Sequence, residues 1–263
     1  MAFYCSLTKG ITGNGWTISG RFRLASDEML YHLGRAAVAV WARACLRLDV
    51  VRRAPLPAGP KIIAPNHPST TDPFLIPILS PEHMHMLIDD TLFQVPLFGR
   101  YLRQAGHVPV IPGRGREAYQ AALRLLRAGR TMGIFPEGGI SPLSGGLHPP
   151  RTGVARLALT TGAPVIPVGI ALQRERIRII ETPVAGETAV GTWYLGGPYA
   201  VTVGEPMWLR GDVKDRPHVR ALSEQLLGRI ADLAGQSARR IGKRIANSRR
   251  VRGRLPAEAA PYS

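Results

Sequence analysis

Cysteine is nearly missing from this chain: two among 263 residues, Cys5 and Cys45. They share no metal-like spacing, which argues against a disulfide framework and for a reducing compartment. Aromatic residues make up only 6%. No interleaved aromatic–basic pattern for stacking on nucleic acid bases is present, so no nucleic acid partner is expected. Acidic residues are also scarce, 18 against 34 basic ones, giving a net charge of +16. A charge of that size says little about fold but points to anionic partners: membrane, acidic ligand or, as the rival from a different class, nucleic acid. Arg supplies 30 of the 34 basic residues, 34 minus four Lys. No run reaches the roughly 18 apolar residues of a membrane span. The first 20 residues are polar and Gly-rich, unlike a signal peptide. No Gly-x-Ser-x-Gly elbow exists, since Ser141 and Ser144 lack flanking glycines, so a serine hydrolase is disfavoured.

What is present is a 45% hydrophobic chain, enough for one large domain with small appendages. Residues 1–26 read as a leader. Asp27 and Glu28 open a helix running to about Leu48, within an appendage spanning 27–54. On a wheel of 100° per residue, His32, Arg35, Arg43 and Arg47 share one face. Leu30, Leu33, Ala37, Val38, Val40, Trp41, Ala44, Cys45 and Leu48 share the other. Such a helix is either an interfacial membrane anchor or a cap on the globular core.

After a Pro-rich linker, strands are expected at 61–64, 107–111, 131–135 and 165–172. Helices are expected at 117–127 and 152–161, closed by Gly129 and Gly162. Asp72-Pro73 reads as an N-cap followed by Pro at the first helical position. Residues 177–203 read as two antiparallel runs at a sheet edge. A last helix covers 217–246. The alternation implies an α/β fold with a mostly parallel central sheet flanked by helices. An N-terminal amphipathic helix and a basic C-terminal helix and tail, 211–263, complete it. The tail carries Arg239, Arg240, Lys243, Arg244, Arg249, Arg250, Arg252 and Arg254 without an acid. It is either a solvated end or a binder of anionic lipid, at roughly 1 kcal/mol per cation.

The chemistry lies in Asn66-His67-Pro68-Ser69-Thr70-Thr71-Asp72, where His67 precedes a carboxylate by five positions. An alcohol is barely ionised at neutral pH, so acyl transfer to it needs a base as its oxygen attacks. An imidazole titrates near that pH, and a carboxylate on its other nitrogen fixes the tautomer and steadies the imidazolium. A thioester donor is already activated, so no covalent intermediate is required.

The His-x4-Asp element is followed by Phe135-Pro136-Glu137-Gly138, by Gly162-Ala163-Pro164-Val165-Ile166-Pro167-Val168 and by Gly204-Glu205-Pro206. In this order, across residues 60–210, they resemble the glycerolipid acyltransferase family, typified by the lysophosphatidic acid acyltransferases. The resemblance implies a catalytic domain over 60–210, with His67 as general base and Asp72 as its orienting partner. It implies that Glu137 and Gly138 sit at the acceptor pocket. Arg114 or Arg116, in Pro112-Gly113-Arg114-Gly115-Arg116, would contact an acceptor phosphate through a planar guanidinium. The donor would be acyl-CoA or acyl-carrier protein, as a co-substrate, with no cofactor and no metal. The acceptor would be a lysophospholipid, 1-acylglycerol 3-phosphate foremost, and the site of action the cytoplasmic face of a membrane, bound peripherally. The sequence departs from the family where Gly139-Ile140 replace a usual Thr-Arg and where Gly113 precedes Arg114 in place of an Asp. Both changes touch the acceptor side. Either Arg151 supplies the charge, or the acceptor is another hydroxyl-bearing lipid without a simple glycerol phosphate head.

Two further patterns compete. Gly113-Arg114-Gly115-Arg116-Glu117-Ala118 matches a loose dinucleotide fingerprint, with Glu137 about 20 residues on as the ribose ligand. Pro112 disturbs its tight turn, and a phosphate-positioning loop explains the same residues. His83 and His85, near Asp89 and Asp90, could suggest a metal site; satisfied surface histidines explain them as well.

Overall fold

The computed structural model describes residues 7–9, 16–18, 24–184 and 187–252. In chain order these form β1 (Leu7–Lys9), β2 (Trp16–Ile18), α1 (Leu24–Cys45), β3 (Asp49–Arg52), β4 (Ile62–Pro65) and the one-turn helix α2 (Asp72–Leu75). Then come β5 (Met84–Asp89), α3 (Phe98–Gln104), β6 (Val108–Val110), α4 (Gly115–Arg127), β7 (Thr131–Gly133) and α5 (Gly153–Thr161). The chain closes with β8 (Val165–Leu172), β9 (Arg178–Val184), β10 (Glu187–Trp193), β11 (Tyr199–Val203) and α6 (Arg216–Arg252). Most of the expected 1–26 leader, Cys5 included, and Arg254 of the tail lie outside the described residues.

Seven strands make one sheet, ordered β3-β11-β8-β4-β7-β5-β6. Every neighbouring pair is parallel except β11 with β8. Successive strand side chains alternate between faces, and the core divides accordingly. Ile63, Ile166, Val168 and Ile170 pack with Ala42 of α1 and Leu46 just after it, Leu75 of α2 and Leu102 of α3. Ile62, Ala64 and Val165 pack on the other face with Leu126 of α4, Leu157 of α5 and Ile230 of α6. The central strands are apolar throughout because both faces are covered. Gly169 lets α6 cross β8 backbone to backbone: a Cβ there would lie 2.0 Å from the amide nitrogen of Ala234.

Three expectations change. The run 177–203 holds three strands: β9 and β10 form a separate hairpin, while β11 enters the sheet and β3 takes the edge. Asp72 is the first residue of α2 with Thr71 as N-cap, and its carboxylate turns back to the preceding loop instead of capping the helix. The basic tail begins as built structure: Arg240 bonds Asp49 at 3.0 Å, Thr202 at 2.8 Å and the carbonyl of Val201 at 2.8 Å.

Helix α1 combines features of both readings offered for it. Tyr31, Ala42 and Leu46 are buried against the domain. Leu33 and Val40 stay 60% and 65% exposed. Among the described residues no helix is long and apolar enough to cross a membrane.

Candidate active site

Strand β4 ends at the carboxyl edge of the sheet and delivers His67 there. Asn66 fixes the departure, its side chain exchanging two hydrogen bonds with the backbone of Ile170, at 3.0 and 2.7 Å. The His67 ring stacks on Phe135 from the loop after β7, centroids 3.9 Å apart and planes 17° apart. Its Nδ1 lies 3.0 Å from Asp72 Oδ2.

Asp72 is fully buried. Its Oδ2 also accepts the Ser69 amide at 2.7 Å. Its Oδ1 accepts the hydroxyls of Ser69 at 2.8 Å and Tyr199 at 2.7 Å. Three donors on this acceptor leave one direction, and His67 fills it as the fourth. Nδ1 therefore carries the proton, and Nε2 presents a lone pair. Nε2 has no hydrogen-bond partner among the described residues, and the side chain is 13% exposed. A neutral imidazole so oriented is chemically a base.

Glu137 sits in the turn after β7. The expectation that it lies at the acceptor pocket changes in one respect: the carboxylate points inward and the residue is only 5% exposed. It accepts the Ser141 hydroxyl at 2.7 Å, the His67 amide at 3.1 Å and the His148 amide at 2.7 Å. The Ser141 amide in turn donates to the His67 carbonyl at 2.7 Å. Glu137 thus ties the His67 loop to the loop carrying Ser141. Gly138 has φ of 70°, and a Cβ there would meet Arg151 Nε at 2.2 Å. The exposed Arg151 side chain therefore lies directly on Gly138.

Arg114 and Arg116 fall elsewhere. Both are exposed at the start of α4, and Arg114 Nε bonds Glu117 at 2.7 Å. The preceding strand, β6, is the sheet edge, three places from β4. At about 4.8 Å per strand that is roughly 14 Å. They share the carboxyl end of the sheet with His67 but have no described contact with it.

Residues 47–171 match the family described as Acyltransferase. No curated protein sequence matches. Among solved structures, the crystal structure of the 1-acyl-sn-glycerophosphate (LPA) acyltransferase PlsC from Thermotoga maritima shares the fold with a TM-score of 0.53. The two are 24% identical, over 79% of this chain and 78% of that one. Over residues 47–171 the chain is similar to the Acyltransferase family, and it shares the fold of that solved structure.

Part of the candidate site lies beyond the matched residues. Tyr199 follows them in sequence. So does Tyr194, whose backbone exchanges hydrogen bonds with the Thr71 hydroxyl at 2.9 and 3.1 Å. Neither carries a local signal, for the bond from Tyr199 spans 127 residues. Phe135 was visible only as a letter in the Phe-Pro-Glu-Gly box; its stacking needs the fold. The competing patterns come apart. Glu137 is committed to its three donors and is not presented to a ribose. His83 is half-buried and His85 buried: Tyr31 of α1 stacks on His83 at 3.8 Å, and His83 on His85 at 4.6 Å. Burial pushes His85 down to about 4 and the neighbouring His107 to about 3. Asp89 instead accepts from Thr91 at 3.0 and 2.7 Å.

Proposed function

We propose that this domain moves a fatty acyl group from a thioester, on coenzyme A or acyl-carrier protein, to the free hydroxyl of a lysophospholipid. The acceptor we favour is 1-acylglycerol 3-phosphate, which gives phosphatidic acid. The observation carrying the proposal is the His67–Asp72 pair, with Nδ1 bonded at 3.0 Å and Nε2 left open. His67 Nε2 takes the acceptor's hydroxyl proton as its oxygen attacks the thioester carbonyl. A C–O bond forms, and Asp72 steadies the imidazolium. The tetrahedral intermediate then collapses: the C–S bond breaks and the leaving thiolate takes the proton from His67. Such a base contributes about 10²–10⁴ in rate.

Arg151, exposed beside Glu137 and Gly138, is the guanidinium we assign to the acceptor phosphate. The similar Thermotoga maritima protein is a 1-acyl-sn-glycerophosphate acyltransferase, which supports this acceptor. Gly139-Ile140 favours a second reading, an acceptor lacking a simple glycerol phosphate head.

His67→Ala should reduce thiol release from acyl-CoA in the presence of lysophosphatidic acid to background. Near-normal turnover by that variant refutes the mechanism. An acceptor screen with lysophosphatidic acid, glycerol 3-phosphate and an uncharged lysolipid chooses between the two readings.

The reaction would take place at a membrane surface, where the lysophospholipid acceptor and its product reside, on its cytoplasmic face. The exposed Met29, Leu33 and Val40 of α1 suit insertion between head groups, and the net charge of +16 suits an anionic leaflet. Flotation with phosphatidylglycerol vesicles should carry the protein up, and Leu33→Asp with Val40→Asp should leave it below. Equal flotation of both proteins would remove α1 from the interface.

A further inference from the structure

Asp72 is held from two directions. Ser69 belongs to its own loop, but Tyr199 reaches it from β11, on the far side of β8 from β4. Backbone and side-chain bonds fix the tyrosine in place. Its amide donates to the Leu46 carbonyl at 2.9 Å, and the Gly197 amide to the Cys45 carbonyl at 3.1 Å, so the end of α1 anchors the start of β11. The Tyr194 hydroxyl donates to the Pro198 carbonyl at 2.9 Å and braces the turn between them. The Tyr199 ring is fully buried, and its hydroxyl finds one acceptor among the described residues, Asp72 Oδ1 at 2.7 Å.

We propose that Tyr199 is a positioning residue of this acyltransferase: by donating to Asp72 it sets how strongly the carboxylate draws on the His67 proton. The inference rests on the reading of His67 as the base. A hydrogen bond donated to a carboxylate disperses its charge and lowers its proton affinity. With Tyr199 in place, Asp72 orients the imidazole without over-stabilising the imidazolium, so Nε2 returns its proton to the leaving thiolate. Without that hydroxyl the carboxylate is more basic, the imidazolium is favoured, and less of the free base remains at a given pH. The donor is constant: burial first, then the Asp72 charge, holds the Tyr199 proton well above the ordinary phenol range. Among the described residues, few titratable groups face this pair. Tyr194 stands beside Tyr199, ring centroids 6.2 Å apart, with Arg176 and Glu175 acting on it from outside. On the His67 side stands Glu137.

Tyr199→Phe removes one hydroxyl and keeps the ring. In the full chain we expect kcat to fall about tenfold, with KM for either substrate within about twofold. The acidic limb of the kcat/KM profile and the His67 imidazole titration, followed by NMR, should both move to higher pH by about half a unit or more. Ser69→Ala, which strips Oδ1 of its other hydroxyl donor, should move them in the same direction. If His67 titrates at the same pH in Tyr199→Phe as in the unchanged protein, Tyr199 is packing alone and the proposal falls, whatever the loss of rate. The two failures are separable. Normal turnover by His67→Ala overturns the base itself. An inactive His67→Ala together with an unmoved titration in Tyr199→Phe overturns only the role given to Tyr199.

Discussion

The two sides of the candidate site are built differently. On the base side, Asp72 accepts four hydrogen bonds, and every donor comes from a fixed element: its own loop, the second residue after β4, and β11. On the acceptor side, Arg151 lies exposed on a glycine, and Gly145 and Gly146 nearby hold φ of 114° and 81°. Buried charge demands complete satisfaction, because each unmet donor or acceptor costs about 1–3 kcal/mol. An exposed guanidinium over a Gly-rich loop has no such demand and stays free to meet a ligand. The contrast suits the reaction proposed: the proton chemistry is the same for any alcohol, whereas the head group is the part to be selected.

Substitutions can test that contrast. The largest effect is expected at Glu137, which borders both sides. Glu137→Ala should strand the amides of His67 and His148 and the Ser141 hydroxyl. A loss of about 2–4 kcal/mol follows, or roughly 5–15 °C in Tm by calorimetry. Glu137→Gln keeps an acceptor and should lose less. If Glu137→Ala leaves Tm unchanged and raises only the acceptor KM, the carboxylate belongs to the acceptor side after all. Next comes Arg151→Ala. Initial rates should show KM for lysophosphatidic acid up about tenfold, with kcat and an uncharged acceptor little affected. The smallest effect is expected from Arg114→Ala, a change within about twofold, since an exposed pair with Glu117 contributes about 0–1 kcal/mol. A larger rise for Arg114→Ala than for Arg151→Ala would move the head-group site toward the sheet edge.

Legibility followed the range of the interactions. Val165–Leu172 matches its expected strand end to end, because an apolar run bounded by Gly162 and Gln173 is a local statement. The class of sheet was readable for the same reason. The hairpin β9–β10 was misplaced because two antiparallel runs fit a free ribbon as well as a sheet edge. Helix α1 was half readable: periodicity found the apolar face, but the fold splits it, Val38 and Trp41 packing on the core while Leu33 and Val40 face out. Tyr31, which meets the core, was on neither proposed face.

Spacing alone put His67 and Asp72 within reach, since a short loop closed by a helical turn brings residues five apart together, and the observed bond is 3.0 Å. What surrounds them depends on the fold. Tyr199 stands 127 positions from Asp72, and Glu137 stands 70 from His67. A hydrogen bond is selected by distance and direction in space, which residue order does not encode beyond a turn or two. The sequence by itself thus determined the class of sheet and the pairing of His67 with Asp72. Only the packing of β11 beside β8, and of the loop after β7 beside β4, decided which distant groups hold Asp72 and His67, because those contacts are selected in space and not by residue order.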